Sequence, residues 1–336
     1  MKTLIISHMG IGDNLMFFRS LMNYKWKEED LVWVIKPEFR DIIQFYFPNS
    51  KIIIFEFSNF KMAHLFSIRK IISELRNEKI KKAIILDYKT KPVLFFLCML
   101  FCVGIKNIKY TPSEALRLLN KNLPDIKQYE KKHEVERYRD LLKYFFAATS
   151  NNEVNLFSVV QRGGKLTDVN DQIIIIAPGS ARMAKRWSIN KFIELAKRLI
   201  ALGYEIVFVG GKNDNYLVQT INHNLRDDRI KNFIGELSFI ETGEWVKRSK
   251  LVVSNDSALM HYADLIGKSV VAIFGITDPQ RCGPYTQIHN CVVNNSYYPK
   301  YSYGPFPDNV SDKFINEITV DAIFYKCLKI LSNGKN

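Results

Sequence analysis

The run Leu251 to Tyr285, LVVSNDSALMHYADLIGKSVVAIFGITDPQRCGPY, constrains the fold more than any other part of the chain. It opens with a continuous apolar strand, Leu251-Val252-Val253, that stops at Ser254-Asn255-Asp256. A helix then carries His261, and a second apolar strand, Val270 to Phe274, breaks at Gly275 into Thr277-Asp278-Pro279. Strands apolar on both faces that alternate with helices belong to parallel sheets covered on both sides. Two strand ends and a helix start therefore fall within one short stretch. In an open sheet of this kind the crevice beyond the strand C-termini receives ligands, and helix N-termini there suit phosphate. The layout is that of a nucleotide site.

The same alternation runs through both halves. In the first, the spacing predicts strands at 3–7, 31–35, 51–55 and 83–87, with helices from Gly12 to about Tyr24 and near 38–47, 68–77 and 93–103. His133 to Ala148 reads as one helix with Tyr138, Leu141, Leu142 and Phe145 as its inner stripe. Polar stretches at 149–155 and 161–171 read as a linker. A second unit then starts at Ile173-Ile174-Ile175-Ile176, with helix 189–202 ending at Gly203, strand 205–209, Gly210-Gly211, helix 213–222, strand 230–233 and helix 240–248. With 336 residues, two domains are expected: 1–158 and 170–318, each a doubly wound α/β unit, with a final helix at 319–333 free to pack back on the first.

A hydrophobic content of 47% excludes a disordered chain, and the net charge of +14 favours an anionic partner. Residues 1–150 hold 26 Lys and Arg against 16 Asp and Glu, so most of the excess is in the first half. Nucleic acid, an anionic membrane surface or a phosphorylated glycolipid would each match it, as would a lysine-rich surface kept for solubility. No nucleic-acid-binding module is recognisable. Five scattered cysteines without a CxxC argue against a disulfide framework or zinc site and suit a reducing cytoplasm. Cys98 and Cys102 share one face of an apolar helix, where small core residues are expected. The apolar run Pro92 to Ile105 is too short to span a bilayer and reads as a buried helix ended by Gly104. No signal peptide is visible.

The chemistry-bearing residues fall at strand exits. Gly10-Ile11-Gly12-Asp13 follows the first strand; its glycines permit a tight turn and close ligand approach. Met16 stands at the third glycine position of the dinucleotide fingerprint, so that motif is incomplete. Asp13 is placed either to cap its helix or to act chemically. In the second half, PGSARMAKRW sets Ser180, Lys185 and Arg186 before a helix, where both cations would neutralise a diphosphate. Gly210 and Gly211 permit backbone approach to a ribose or base. Asp256-Ser257-Ala258 leads to His261 one helical turn later, and Thr277-Asp278-Pro279 starts another helix that should offer further amide donors. Each segment has a structural reading as well, a solvated loop, a turn, a cap or a buried histidine. There is no Walker A, HExxH or GxSxG motif, and no DxD pair lies at a strand end to hold a metal–diphosphate.

The ordered set GIGD, PGSARMAKRW, NDSALMHYA and FGITDPQRCGPY, with KHEVERYRDLLKYF before the linker, resembles the lipopolysaccharide heptosyltransferase family over nearly the whole chain. The resemblance implies a GT-B architecture, two Rossmann-like domains facing a central cleft, and an inverting transfer of heptose from ADP-heptose to a lipopolysaccharide core, with no metal or other cofactor. It implies Asp13 as general base on an acceptor side with Gly10 and Gly12. Ser180, Lys185, Arg186, Gly211, Asp256, Ser257, Ala258, His261 and Thr277 would hold donor sugar and phosphates. It further implies domain closure around the donor and a cytoplasmic enzyme in peripheral contact with the inner membrane, its basic half on an anionic glycolipid. Ala258 stands where the family carries glycine, the helix after GIGD lacks a proline many members have, and Lys212-Asn213-Asp214 follows the Gly-Gly pair where an acidic residue often comes sooner. These departures keep a related transferase with another nucleotide sugar open, for O-antigen, capsule or protein glycosylation. A non-catalytic nucleotide-sugar or polyanion binder is the alternative of another class.

Overall fold

The structure is a computed structural model and describes residues 2–55, 63–87, 90–111, 131–148, 172–294 and 311–333. It divides into two compact units, Met1–Arg162 and Gly163–Asn336. The expected linker at 149–155 and 161–171 lies outside the described residues.

The first unit contains β1 (Lys2–Ser7), α1 (Ile11–Leu21), β2 (Leu31–Ile35), α2 (Arg40–Tyr46), β3 (Lys51–Ile54), α3 (Ala63–Asn77), β4 (Ile80–Leu86), α4 (Thr90–Val103), β5 (Asn107–Tyr110) and α5 (Glu134–Leu142). Its sheet is parallel in the order β3-β2-β1-β4-β5. The chain winds outward from β1 to β3 and then crosses to β4 on the other side. That reversal opens the sheet's crevice at the C-terminal ends of β1 and β4. One face packs Leu4, Ile6, Val34, Ala83 and Ile85 against Val93, Phe96 and Leu100 of α4. The other buries Trp33 edge-on to Phe17 and Phe18 of α1.

Three expectations need correction here. Helix α5 ends at Leu142 instead of running to Ala148, because residues 147 and 148 turn back to pair with Tyr24 and Lys25. Strand β5, Asn107-Ile108-Lys109-Tyr110, carries no apolar run and was not expected; as an edge strand it pairs on one side only. Cys98 and Cys102 are exposed and not core residues, since α4 turns Val93, Phe96 and Leu100 inward and those cysteines to the opposite face. The helix does end at Gly104, whose φ of +87° suits a residue without Cβ.

The second unit contains β6 (Ile173–Ala177), α6 (Ile189–Ala201), β7 (Glu205–Phe208), α7 (Val218–Asn224), β8 (Ile230–Asn232), α8 (Phe239–Arg248), β9 (Leu251–Asn255), α9 (Ala258–Leu265), β10 (Ser269–Phe274), α10 (Pro279–Cys282), β11 (Cys291–Val293), α11 (Lys313–Asn316) and α12 (Val320–Asn333). The parallel order is β11-β10-β9-β6-β7-β8, so the reversal lies between β6 and β9. Ile174, Ile176, Val253 and Ile273 line one core with Phe192, Leu195 and Leu199 of α6. The C-terminal helix α12 packs on this core. Ile323, Cys327 and Leu331 join this same core, and Trp187 Nε1 donates to Ile318 O at 2.9 Å just before it.

Phe192 is fully buried and meets Trp187 edge-on at 4.9 Å. Phe192→Ala is expected to cost about 3–5 kcal/mol, read from the midpoint of denaturant unfolding. His8, at the exit of β1, packs edge-on to Phe96 at 5.0 Å, and burial with the Lys36 charge holds its imidazole down at about 4. The unfolded chain takes up that proton near pH 6.5 while the folded chain resists until about pH 4. Stability is therefore lost as pH falls through this window, by up to about 3 kcal/mol. His8→Gln should flatten that part of the stability–pH profile, and an unchanged slope would remove His8 as its source.

Candidate functional site at the strand exits

At the reversal point of the second unit, β6 exits into Pro178-Gly179-Ser180 and β9 into Asp256-Ser257. The buried Asp256 carboxylate organises the space between them. Its Oδ2 lies 2.6 Å from Lys185 Nζ and accepts the Thr277 hydroxyl at 2.6 Å. Three strand exits thus supply one cluster: Lys185 from the 3-10 turn Met183–Lys185 after β6, Asp256 after β9, and Thr277 after β10. The Ser180 hydroxyl donates to Asp256 O at 3.3 Å. The ion pair and the Thr277 hydrogen bond on one carboxylate hold the lysine at a fixed place.

Asn255 locks the loop that carries Lys185. Its Nδ2 donates to Pro178 O at 2.7 Å, and its Oδ1 accepts from Trp187 N at 3.2 Å. Helix α9 starts directly after Ser257, whose side chain makes no capping bond and instead meets Ser254 Oγ at 2.9 Å. The first-turn amides of α9 therefore carry no side-chain cap from Ser257. Ala258 is its first residue, and His261 is buried one turn further along.

At the exit of β7, Gly210 and Gly211 lead into a 3-10 turn, Lys212–Leu217, and Asp214 reaches back so that Gly211 N donates to its Oδ2 at 3.0 Å. The same carboxylate lies over Gly179, where an added Cβ would come within 2.2 Å of Oδ2. Burial pushes the Asp214 carboxyl up, opposed by the Gly211 N–H and the Arg186 charge. Arg186 donates from Nε to Ser180 O at 2.7 Å and sets its guanidinium over the exposed Tyr216 ring at 5.4 Å. Part of its expected role on a diphosphate is thus taken up in holding the loop. The amide donors expected after Thr277 are also largely used: α10 has four residues, begins with Pro279, and Asp278 already accepts from Gln280 N at 2.9 Å.

In the first unit, β1 exits into Gly10-Ile11-Gly12-Asp13, and the half-buried Asp13 sits at the third position of α1. Gly10 N donates to its Oδ2 at 3.3 Å, and Asn14 Nδ2 donates to Gly10 O at 3.0 Å. Asp13 thus does cap its helix, which holds the carboxylate at the rim of the β1 exit. The segments Gly10–Asp13 and Gly211–Asp214 are the same device, a glycine N-cap answered three residues later by aspartate. That shared G-x-x-D spacing is the signal by which Asp214 could have been chosen as a site residue. Tyr216 offered no comparable signal.

Second-unit residues Ser180, Lys185, Asp256 and Thr277 come into one bonded cluster, with Arg186 tied to Ser180; Ser257, Ala258 and His261 lie on the adjoining helix start, and Gly211 on the neighbouring exit. Among the described residues, no three His, Cys, Asp or Glu side chains are grouped to hold a metal ion.

Residues 68–305 match the family described as Glycosyltransferase family 9 (heptosyltransferase). Lipopolysaccharide heptosyltransferase 2 of Salmonella typhimurium is 33% identical over 152 residues, covering 44% of this chain and 43% of the relative. The chain thus spans less than half the length of that relative in the aligned stretch. The solved structure of E. coli ADP-heptose lps heptosyltransferase II superposes with a TM-score of 0.72 at 20% identity, covering 100% of both chains. The E. coli heptosyltransferase WaaC with ADP gives a TM-score of 0.70 at 15% identity, over 98% of this chain and 100% of that one. The fold is therefore the two-sheet α/β arrangement of the GT-B heptosyltransferases, and the chain belongs to glycosyltransferase family 9.

Proposed function

We propose that this glycosyltransferase moves a heptose from ADP-heptose to the anionic core of a lipopolysaccharide, with inversion and without a metal. The observation that carries the reading is the Lys185–Asp256–Thr277 cluster at the reversal point of the second sheet. It sets a fixed ammonium beside the start of α9, where a nucleoside diphosphate is best accommodated. The ADP in the E. coli WaaC structure supports adenine as the base.

In the proposed step the acceptor hydroxyl oxygen bonds to the anomeric carbon from the face opposite the phosphate. Its proton passes to the Asp13 carboxylate. The bond from that carbon to the phosphate oxygen breaks, and ADP leaves with the electron pair. Lys185 and the first amides of α9 stabilise the charge that collects on the diphosphate. Asp13 must come within reach of the same hydroxyl that faces the donor carbon. Its bond to Gly10 N–H leaves the carboxylate positioned for this and limits its rotamers. Lysine and the helix start take the role that a divalent cation has in metal-dependent transferases, so chelation by EDTA should leave the rate unchanged. The basic first half is proposed to hold the phosphorylated acceptor at the inner face of the bacterial inner membrane.

A second reading keeps this chemistry with another nucleotide sugar. Ala258 favours it, since its methyl stands at the first position of α9, where the proposed diphosphate would sit. Release of ADP, UDP, GDP or CMP from a donor panel separates the two.

Asp13→Asn keeps an acceptor for Gly10 N–H but loses the base; turnover should fall by about 10²–10⁴-fold with donor affinity nearly unchanged. An unaltered rate would leave Asp13 a cap only. Lys185→Met should weaken donor binding by about 10–100-fold in calorimetric titration, with Lys185→Arg recovering part of the loss.

A further inference from the structure

Helix α4 is apolar on both faces. Its 14 residues, TKPVLFFLCMLFCV, include one charge, Lys91, in the first turn. Val93, Phe96, Met99 and Leu100 are buried against the sheet. On the opposite side Leu94, Cys98, Phe101 and Cys102, spaced four, three and one apart, form a continuous exposed stripe. Phe101 is 82% exposed. Helix α6 of the second unit shows the ordinary case: it buries Phe192, Leu195 and Leu199 and turns Asn190, Glu194 and Lys197 outward. A helix with one face on the core and the other in water is expected to be polar on its outer face in this way. At about 1.5 Å per residue α4 is about 21 Å long, short of the roughly 30 Å hydrocarbon core, and among the described residues no helix is long and apolar enough to cross a membrane.

Charge decides what covers the stripe. Residues 63–111 hold ten Lys and Arg against three Asp and Glu, and one of those three, Asp87, is buried at the exit of β4. The exposed cations stand around α4: Lys91 at its start, Lys106 just past its end, and Arg69, Lys70 and Arg76 on the α3 helix packed beside it. Arg76 is fastened to the helix end, donating to Cys102 O at 2.7 Å. An apolar stripe rimmed by cations is the pattern of a helix lying in the plane of an anionic bilayer, its apolar side in the headgroup–acyl boundary.

We infer that α4 docks the chain on anionic lipid, with Leu94, Cys98, Phe101 and Cys102 entering the interface and the surrounding cations on lipid phosphates. The inference deepens the membrane contact proposed above, rests on it, and names the element that makes it.

The test uses the full chain with phosphatidylglycerol–phosphatidylcholine vesicles and with phosphatidylcholine vesicles alone, read by co-sedimentation. The wild type should bind the anionic vesicles, more weakly at raised salt, and barely bind the neutral ones. The double variant Leu94→Ser/Phe101→Ser should lose binding by at least about tenfold, and Lys91→Glu/Lys106→Glu should lose most of the salt-sensitive part. Both pairs are on the surface, so melting temperature and calorimetric ADP binding should match the wild type. Undiminished vesicle binding by Leu94→Ser/Phe101→Ser, or no binding by the wild type, overturns the inference. So does a dimer of the free wild-type chain that this variant dissociates without any vesicle binding, which would make the stripe a contact between copies. Transfer to a detergent-dispersed acceptor distinguishes the two readings. Wild-type turnover there, with undiminished vesicle binding by the variant, removes the α4 assignment alone. Absence of turnover by the wild type removes the proposed transfer and leaves the vesicle result standing.

Discussion

One buried amide holds the candidate donor site together. Asn255 is fully buried, at the last position of β9, and can remain there only if both ends of its amide are satisfied. They are met by Pro178 O on one side and Trp187 N on the other, the two ends of the loop that carries Ser180, Lys185 and Arg186. The loop is thereby tied to the strand that presents Asp256. Without that tie, the 2.6 Å approach of Lys185 to Asp256 would depend on a flexible lysine and an irregular loop ordering each other. Trp187 extends the same anchorage into the core through Phe192 and through Ile318 O, so the C-terminal segment steadies the loop that carries Ser180, Lys185 and Arg186.

The two units solve the same problem with related parts. In each, a parallel sheet reverses its winding next to a central strand, and the backbone leaving the strands turns through glycine. In each, an aspartate three residues after a glycine returns to that glycine's N–H and fixes the start of the next helical turn. The chemistry differs because of what surrounds the carboxylate. Asp214 is pressed over Gly179 with Arg186 nearby and serves to pack two strand exits together. Asp13 sits half-buried at the β1 exit with its cap bond to Gly10 N–H, where the proposed base would have to stand. A cap and a base are compatible roles for one side chain, since the cap bond restricts the rotamer that the base must adopt.

Helix α4 breaks the pattern that makes the rest of the molecule legible. A helix flanking a doubly wound sheet needs one apolar face, and α4 has two. Burying the sheet-facing one satisfies the fold. The outward one, Leu94 to Cys102, has no use in the fold of the first unit as described and is surrounded by cations, which is why a partner that is at once apolar and anionic accounts for it.

The sequence by itself determined the elements with strong local patterns. The continuous apolar runs 173–176 and 251–253 form parallel core strands, as short runs rich in β-branched residues suit strands buried on both faces. Gly104 and Gly203 end their helices because the left-handed conformation there excludes a Cβ. Motif order along the chain was sufficient for the family, and the residues it singled out stand at strand exits or on the helices that follow them. What only the tertiary structure decided are the pairings across long separations. Asp256 with Lys185 and Thr277, Asn255 with the ends of the loop, and Asp214 over Gly179 each join strand exits that are adjacent only once the sheet order is set. Edge strand β5, with no apolar run, and the return of α12 to the second core were equally hidden, because both depend on which neighbouring surface is left uncovered. The face of α4 was ambiguous for the same reason: helical spacing shows that Cys98 and Cys102 share a side, and only packing against the sheet decides that this side is outside.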